Sequence, residues 1–305
     1  MFPTKEAGDF FNNEVILIKY LLDLEDPDGI MEKYAIRAYP TFILINGNGE
    51  EYSRFIGGAN TTEAFLEKTK NALKRENSWA YRNEKLKADP SYTVEHIRYL
   101  NSVYMQDPAR EMLNGYFATR SIQENFSEES VQLYNSLITD TNSPIVEFML
   151  KNQGAVSQVM GAEQYKSFLI SKANSQIGSK FTRVDLEKAE SVSDFEGDVK
   201  KLNAHPLLSS KYSQFVLDNF GNIKAKNDEA IFNNLKKSLP DFSTAERQAA
   251  FGLHAQLARV FKITIDPDVT RQRSIALYEI AVETEKDERA LENFKRTLDR
   301  LKNPQ

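Results

Sequence analysis

The chain has 305 residues, long enough for two ordinary domains that each bury a core. Hydrophobic residues make up 41% and charged residues 27%, a globular balance that excludes a disordered chain. The net charge is -5, and the lysines and arginines are dispersed among acids. That distribution offers no phosphate-binding surface and argues against nucleic acid as a partner. There is no cysteine, which excludes disulfides, thiolate metal sites and cysteine nucleophiles. No run of about 18 uninterrupted apolar residues occurs, so no membrane span is expected.

Residues 1–13 place Phe2, Ala7, Phe10 and Phe11 at helical spacings and read as the tail of a helix. The opening Met-Phe-Pro-Thr-Lys-Glu-Ala-Gly-Asp lacks the basic start and apolar middle of a secretory signal. Residues 15–22 are a continuous apolar and β-branched run, which predicts a strand buried on both faces of a parallel sheet. Asp26-Pro27-Asp28-Gly29 is a turn, with Asp28 a candidate cap for a short helix over 30–34. A tight Tyr39-Pro40-Thr41 turn follows, then an apolar strand at 42–45. Gly47-Asn48-Gly49 predicts a hairpin whose second strand, 52–56, returns antiparallel. The Gly57-Gly58 pair suits a tight turn needing positive φ and lacks the spacing of a nucleotide loop. Asn60 and Glu63 resemble a capping box opening a helix with Ala64, Phe65, Thr69, Ala72 and Leu73 along one stripe.

From Trp79 onward strand-like patterns vanish. A polar stretch over 76–90, containing Asp89-Pro90, reads as a linker, and 91–305 as an all-helical domain. Its expected helices are 92–105, 109–118, 128–138, one opened by Ser143-Pro144, 163–176, 185–202, 210–220, 227–238, 244–261, 271–283 and 285–301. Short loops predict antiparallel neighbours. Ala276, Tyr278 and Ala281, followed by Ala290, Phe294 and Leu298, faintly resemble a tetratricopeptide hairpin.

The order helix, Y-P-T turn, strand, hairpin, strand, Gly-Gly, helix resembles the second half of a thioredoxin domain. The run F-P-T-K-E-A-G-D-F-F-N-N, the D-P-D-G turn and K-Y-A-I-R-A-Y-P-T-F are similar to thioredoxin-family proteins common in Bacteroidetes that carry a long helical extension. The segment S-V-Q-L-Y-N-S-L-I-T-D-T-N-S-P-I-V-E-F-M-L-K-N-Q, from 130 to 153, is similar to theirs too. Leu21-Leu22 stand as an insertion relative to that pattern. The resemblance implies an α/β class, with a partial thioredoxin-like fold over 1–75 followed by the helical domain. It also implies a cis bond before Pro40, and family members are often exported to the periplasm. The family's W-C-x-x-C lies just before F-P-T-K-E-A-G-D-F-F-N, so the chain resembles a member without its first strand-helix-strand and its redox motif. Strand 15–22 would then lack neighbours. The third strand could pair directly with the fourth, the helical part could cover the gap, or another chain could supply a strand.

Tyr39, Pro40 and Thr41 are the only residues onto which the family's function transfers. There, the cis-proline loop contacts bound peptide. The alternative is a turn entering a strand, which is preferred here because the cysteines are absent. His96, His205 and His254 are far apart and lack the i, i+4 spacing of a helical metal site, so ordinary packing or surface roles are expected. Asp26, Asp28 and Glu32 lack the length and glycine position of a calcium loop and read as a solvated turn. No serine sits in a nucleophile elbow. No metal or cofactor is therefore expected. Two function classes follow: a redox-silent protein-binding or structural module acting through the proline loop or the helical domain, and an N-terminally truncated piece of a thiol-disulfide oxidoreductase.

Overall fold

The computed structural model describes residues 4–19, 26 and 29–303. These are mostly helical, with one two-stranded antiparallel sheet. They fall into two compact units, Met1–Ser121 and Ile122–Gln305.

The first unit contains α1 (Lys5–Asn13), α2 (Ile30–Lys33), β1 (Thr41–Ile45), β2 (Glu51–Ile56), α3 (Thr62–Leu73), α4 (Trp79–Ala88), α5 (Thr93–Ser102) and α6 (Gln106–Ala118). Alternation along the hairpin decides which side chains face which helix. Phe42 lies opposite Phe55 in the register, and their rings stack at 4.7 Å. Phe65 of α3 meets both rings edge-on, at 4.8 and 5.9 Å, closing an aromatic core. Ser53, on the same face, donates to the Ala72 carbonyl at 2.7 Å and ties β2 to the end of α3. Gly49 takes φ 80° in the hairpin turn, a conformation that only glycine adopts without steric cost.

Several expectations are corrected. Residues 15–19 form no strand, and the rest of the expected strand, 20–22, lies outside the described residues. Ile16, Leu17 and Ile18 are 93%, 47% and 80% exposed, the opposite of burial on two faces. The physical reason is the lack of a partner: the backbone of 15–19 makes no hydrogen bond among the described residues, so nothing holds it in a sheet. At α2 the capping groups are the Asp26 carboxylate oxygens, which accept from the Ile30 and Met31 amides at 2.8 and 2.7 Å. Asp28 lies outside the described residues. The cap of α3 is Thr61 rather than Asn60; its hydroxyl accepts from the Ala64 amide at 3.2 Å. Along α3, Leu66 is buried where Ala64 was expected. Residues 76–90, read as a linker, carry α4, which packs on β2 through Trp79.

The second unit contains α7 (Ile122–Asn125), α8 (Glu128–Leu137), α9 (Pro144–Lys151), α10 (Gln153–Met160), α11 (Ala162–Phe181) and α12 (Ala189–Ala204). It continues with α13 (Lys211–Asp218), α14 (Phe220–Lys224), α15 (Asp228–Ser238), α16 (Thr244–Phe261), α17 (Pro267–Thr284) and α18 (Glu288–Lys302). Serine caps set two boundaries. Ser143 caps α9 ahead of Pro144, and Ser243 with Glu246 makes a reciprocal capping box for α16. The long α11 buries Phe168, Leu169, Ala173, Ile177 and Phe181 against its neighbours. Phe251, Tyr278 and Phe294 interlock α16, α17 and α18, with centroids 4.3 to 6.0 Å apart.

Polar groups also fasten this unit. Arg247 and Glu285 form an ion pair at 2.9 Å whose side chains are only 4% and 6% exposed. Arg247 further donates to the Leu239, Pro240 and Thr284 carbonyls, so one guanidinium ties the start of α16 to the end of α17. Lys172 of α11 is 3% exposed and donates to the Asn135 carbonyl, near the C-terminal end of α8, at 3.2 Å. The helix dipole makes that end favourable for a cation.

Candidate functional site

Tyr39, Pro40 and Thr41 form the short approach to β1. Each is fixed by local chemistry. Thr41 Oγ1 donates to the Ala38 carbonyl at 2.6 Å, and the Pro40 carbonyl accepts from the Gly57 amide at 2.9 Å, joining the two ends of the hairpin. The Tyr39–Pro40 peptide bond is cis. The Tyr39 ring is 64% exposed, and its hydroxyl reaches Met31 Sδ of α2 at 3.4 Å.

The strand that follows is open on one side. β1 pairs only with β2, and its other edge has no hydrogen-bond partner among the described residues. Tyr39, two residues before it, and Ile45 at its end, the latter 50% exposed, bracket this edge with apolar surface. An open edge of this kind presents alternating N–H and C=O groups to any extended chain.

Beneath β2 lies a polar cluster that periodicity did not indicate. Arg54, only 4% exposed, is paired with Glu51 and donates to the Tyr34 carbonyl at 2.6 Å. Glu51 also accepts from the Trp79 indole at 2.7 Å. Arg82 stacks on Tyr99, its Cζ 3.7 Å from the ring centroid, and donates to Tyr92 Oη and Asn77 Oδ1. Trp79, Tyr92 and His96 complete an aromatic wall. Burial first, and the Arg82 charge second, hold His96 below its ordinary pKa of 6.5. Burial raises the Tyr99 phenol above its usual 10, against the charge of Arg82. The clue in the sequence was the chain's one tryptophan, placed inside a supposed linker. The Trp79–Glu51 bond joins the hairpin to α4, and the Arg82 and Trp79 contacts with Tyr99 join α4 to α5.

The other expected residues stay apart. His205 is half-buried and its Nδ1 accepts from the Leu207 amide at 3.2 Å, a turn contact. His254 is buried in the second unit beside Phe232, 5.7 Å between centroids. Among the described residues no cluster of histidine and carboxylate side chains could hold a metal. Likewise, no described helix is long and apolar enough to cross a membrane. A cleft of about 400 Å³ beside α12 sets Lys180, Arg183 and Lys201 against Asp194 and Asp198, with Lys180 already paired to Asp198. In the first unit, the edge of β1 that follows Tyr39-Pro40-Thr41 presents backbone groups with no hydrogen-bond partner among the described residues. No family model matches the chain, and no curated protein or solved structure does either.

Proposed function

We propose that the chain is a thioredoxin-like, redox-silent protein-binding module that receives an extended segment along β1. One observation carries this reading: the β1 edge, without a hydrogen-bond partner among the described residues, starts two residues after an exposed Tyr39, in a chain with no cysteine. Main-chain hydrogen bonds to an added strand supply affinity, while pockets beside alternate side chains supply selectivity. The resemblance of the Y-P-T turn and hairpin to the thioredoxin pattern supports the choice of this loop. Titration with a soluble peptide alternating valine and threonine, followed through backbone amide shifts, tests it. Shifts should concentrate on Thr41–Ile45; shifts scattered over the helical unit, or none, would overturn the reading.

A second reading makes the chain a piece of a thiol-disulfide oxidoreductase. The exposure of Ile16, Leu17 and Ile18 favours it, since a strand-forming run without neighbours suits a sheet whose other strands are supplied elsewhere. An in-frame W-C-x-x-C a few codons upstream of Met1 would establish it, and a stop codon in that place would end it.

A further inference from the structure

Large exposed apolar side chains are not scattered over this molecule. Of the seven among the described residues, Ile16, Leu17, Ile18 and Ile45 belong to two short segments of the first unit, and Tyr39 lies two residues before one of them. One segment, 15–19, has the β-forming sequence Val-Ile-Leu-Ile-Lys, yet no hydrogen bond to its backbone from the described residues. The other, Thr41–Ile45, is a formed strand with one unpaired edge. Each lacks what the other offers. A strand-forming segment without a sheet and a sheet edge without a partner among the described residues thus coexist in one chain.

We propose that two copies of this chain associate by exchange, residues 15–19 of each adding as a strand to the open β1 edge of the other. The inference rests on the reading of this unit as a protein-binding module and names its partner as a second copy. The choice of partner follows from complementarity within the chain. Every copy brings one donor segment and one acceptor edge, so a two-fold pair uses both and closes without a leftover edge. Closure also removes the aggregation hazard of a free strand edge flanked by apolar surface. Any other extended segment would satisfy β1 but leave Ile16 and Ile18 in water.

Sedimentation velocity on the full chain over a concentration series reads the outcome. A species of twice the chain mass is expected. The double variant Ile16→Lys/Ile18→Lys alters only exposed side chains, so its helical circular dichroism should be unchanged while the dimer is lost. Because the chain has no cysteine of its own, a mixture of Ile16→Cys and Ile43→Cys chains reports the contact directly. Mild oxidation should link the two different chains. A monomer at every concentration overturns the proposal, as does a dimer that survives the double variant unchanged. A monomer whose β1 amides still respond to the valine-threonine peptide would sink the exchange but leave the binding module standing. A monomer that ignores the peptide would sink both.

Discussion

Lys172 offers a test in which removing a charged residue should stabilise the protein. Its ammonium is buried in the second unit, 3% exposed, with the Asn135 carbonyl at 3.2 Å and the Phe168 ring at 4.7 Å. No carboxylate among the described residues pairs with it, and burial pulls the pKa from 10.5 to about 8. The unfolded chain therefore binds the proton more tightly than the folded one between those two values. Stability from this site is complete above pH 10.5 and is lost as pH falls through 8, with no further loss below. At roughly 1.4 kcal/mol per pH unit, the gap amounts to about 3 kcal/mol at neutral pH. Lys172→Met keeps the length of the buried stem and removes the charge. It forfeits the hydrogen bond to Asn135, worth about 1 kcal/mol. A net gain of about 2 kcal/mol should appear in urea unfolding at pH 7. The same comparison at pH 10.5 should show the advantage gone. A variant that is less stable at pH 7, or a difference that does not change with pH, would refute the reasoning.

Glu285→Ala should cost about 3–5 kcal/mol, because it leaves Arg247 charged and unpaired in the interior; the urea midpoint checks this. His254 is held at about 4 by burial, then by the Arg273 charge, so stability should fall as pH drops from 6.5 to 4, by roughly 3 kcal/mol in total. Denaturant midpoints across that window should flatten in His254→Gln. Tyr104 closes α5 with φ 59°, left-handed backbone that favours glycine, and Tyr104→Gly should gain about 0.5 kcal/mol in thermal melts. Thiol-disulfide exchange needs a thiolate, so insulin reduction by dithiothreitol should run no faster with the chain than without it.

The hairpin was legible because turn chemistry and strand propensity agree: Gly47-Asn48-Gly49 sits between an apolar strand and a second one ending in Phe55-Ile56, and both form. Most of the helical unit was legible for a similar reason, since Ser143-Pro144 and Ser243 with Glu246 mark helix starts with side chains that bond the first free amides. Residues 15–19 were misread because an apolar run reports a preference, whereas a strand also requires a neighbour. Helix α4 was missed because its anchors, Trp79 and Arg82, work through polar and aromatic contacts that leave no apolar stripe. Neighbouring cap-forming residues explain the shift from Asn60 to Thr61. The Tyr39-Pro40-Thr41 turn was visible as a motif, but the open edge beside it was not. Pairing between strands is a property of the assembled sheet, and no local pattern records which edge stays empty.

The position of Trp79 gives the molecule a built-in spectroscopic separation. It is the chain's one tryptophan, and its indole is bonded to Glu51 of the hairpin unit. Its emission therefore follows the loosening of that unit alone. Of the eighteen α-helices among the described residues, twelve lie in Ile122–Gln305, so ellipticity follows mainly the other one. A single heating run recorded in both signals thus compares the two units in one sample without cutting the chain. Coincident curves mean that they melt as one cooperative body, and displaced curves rank them by stability.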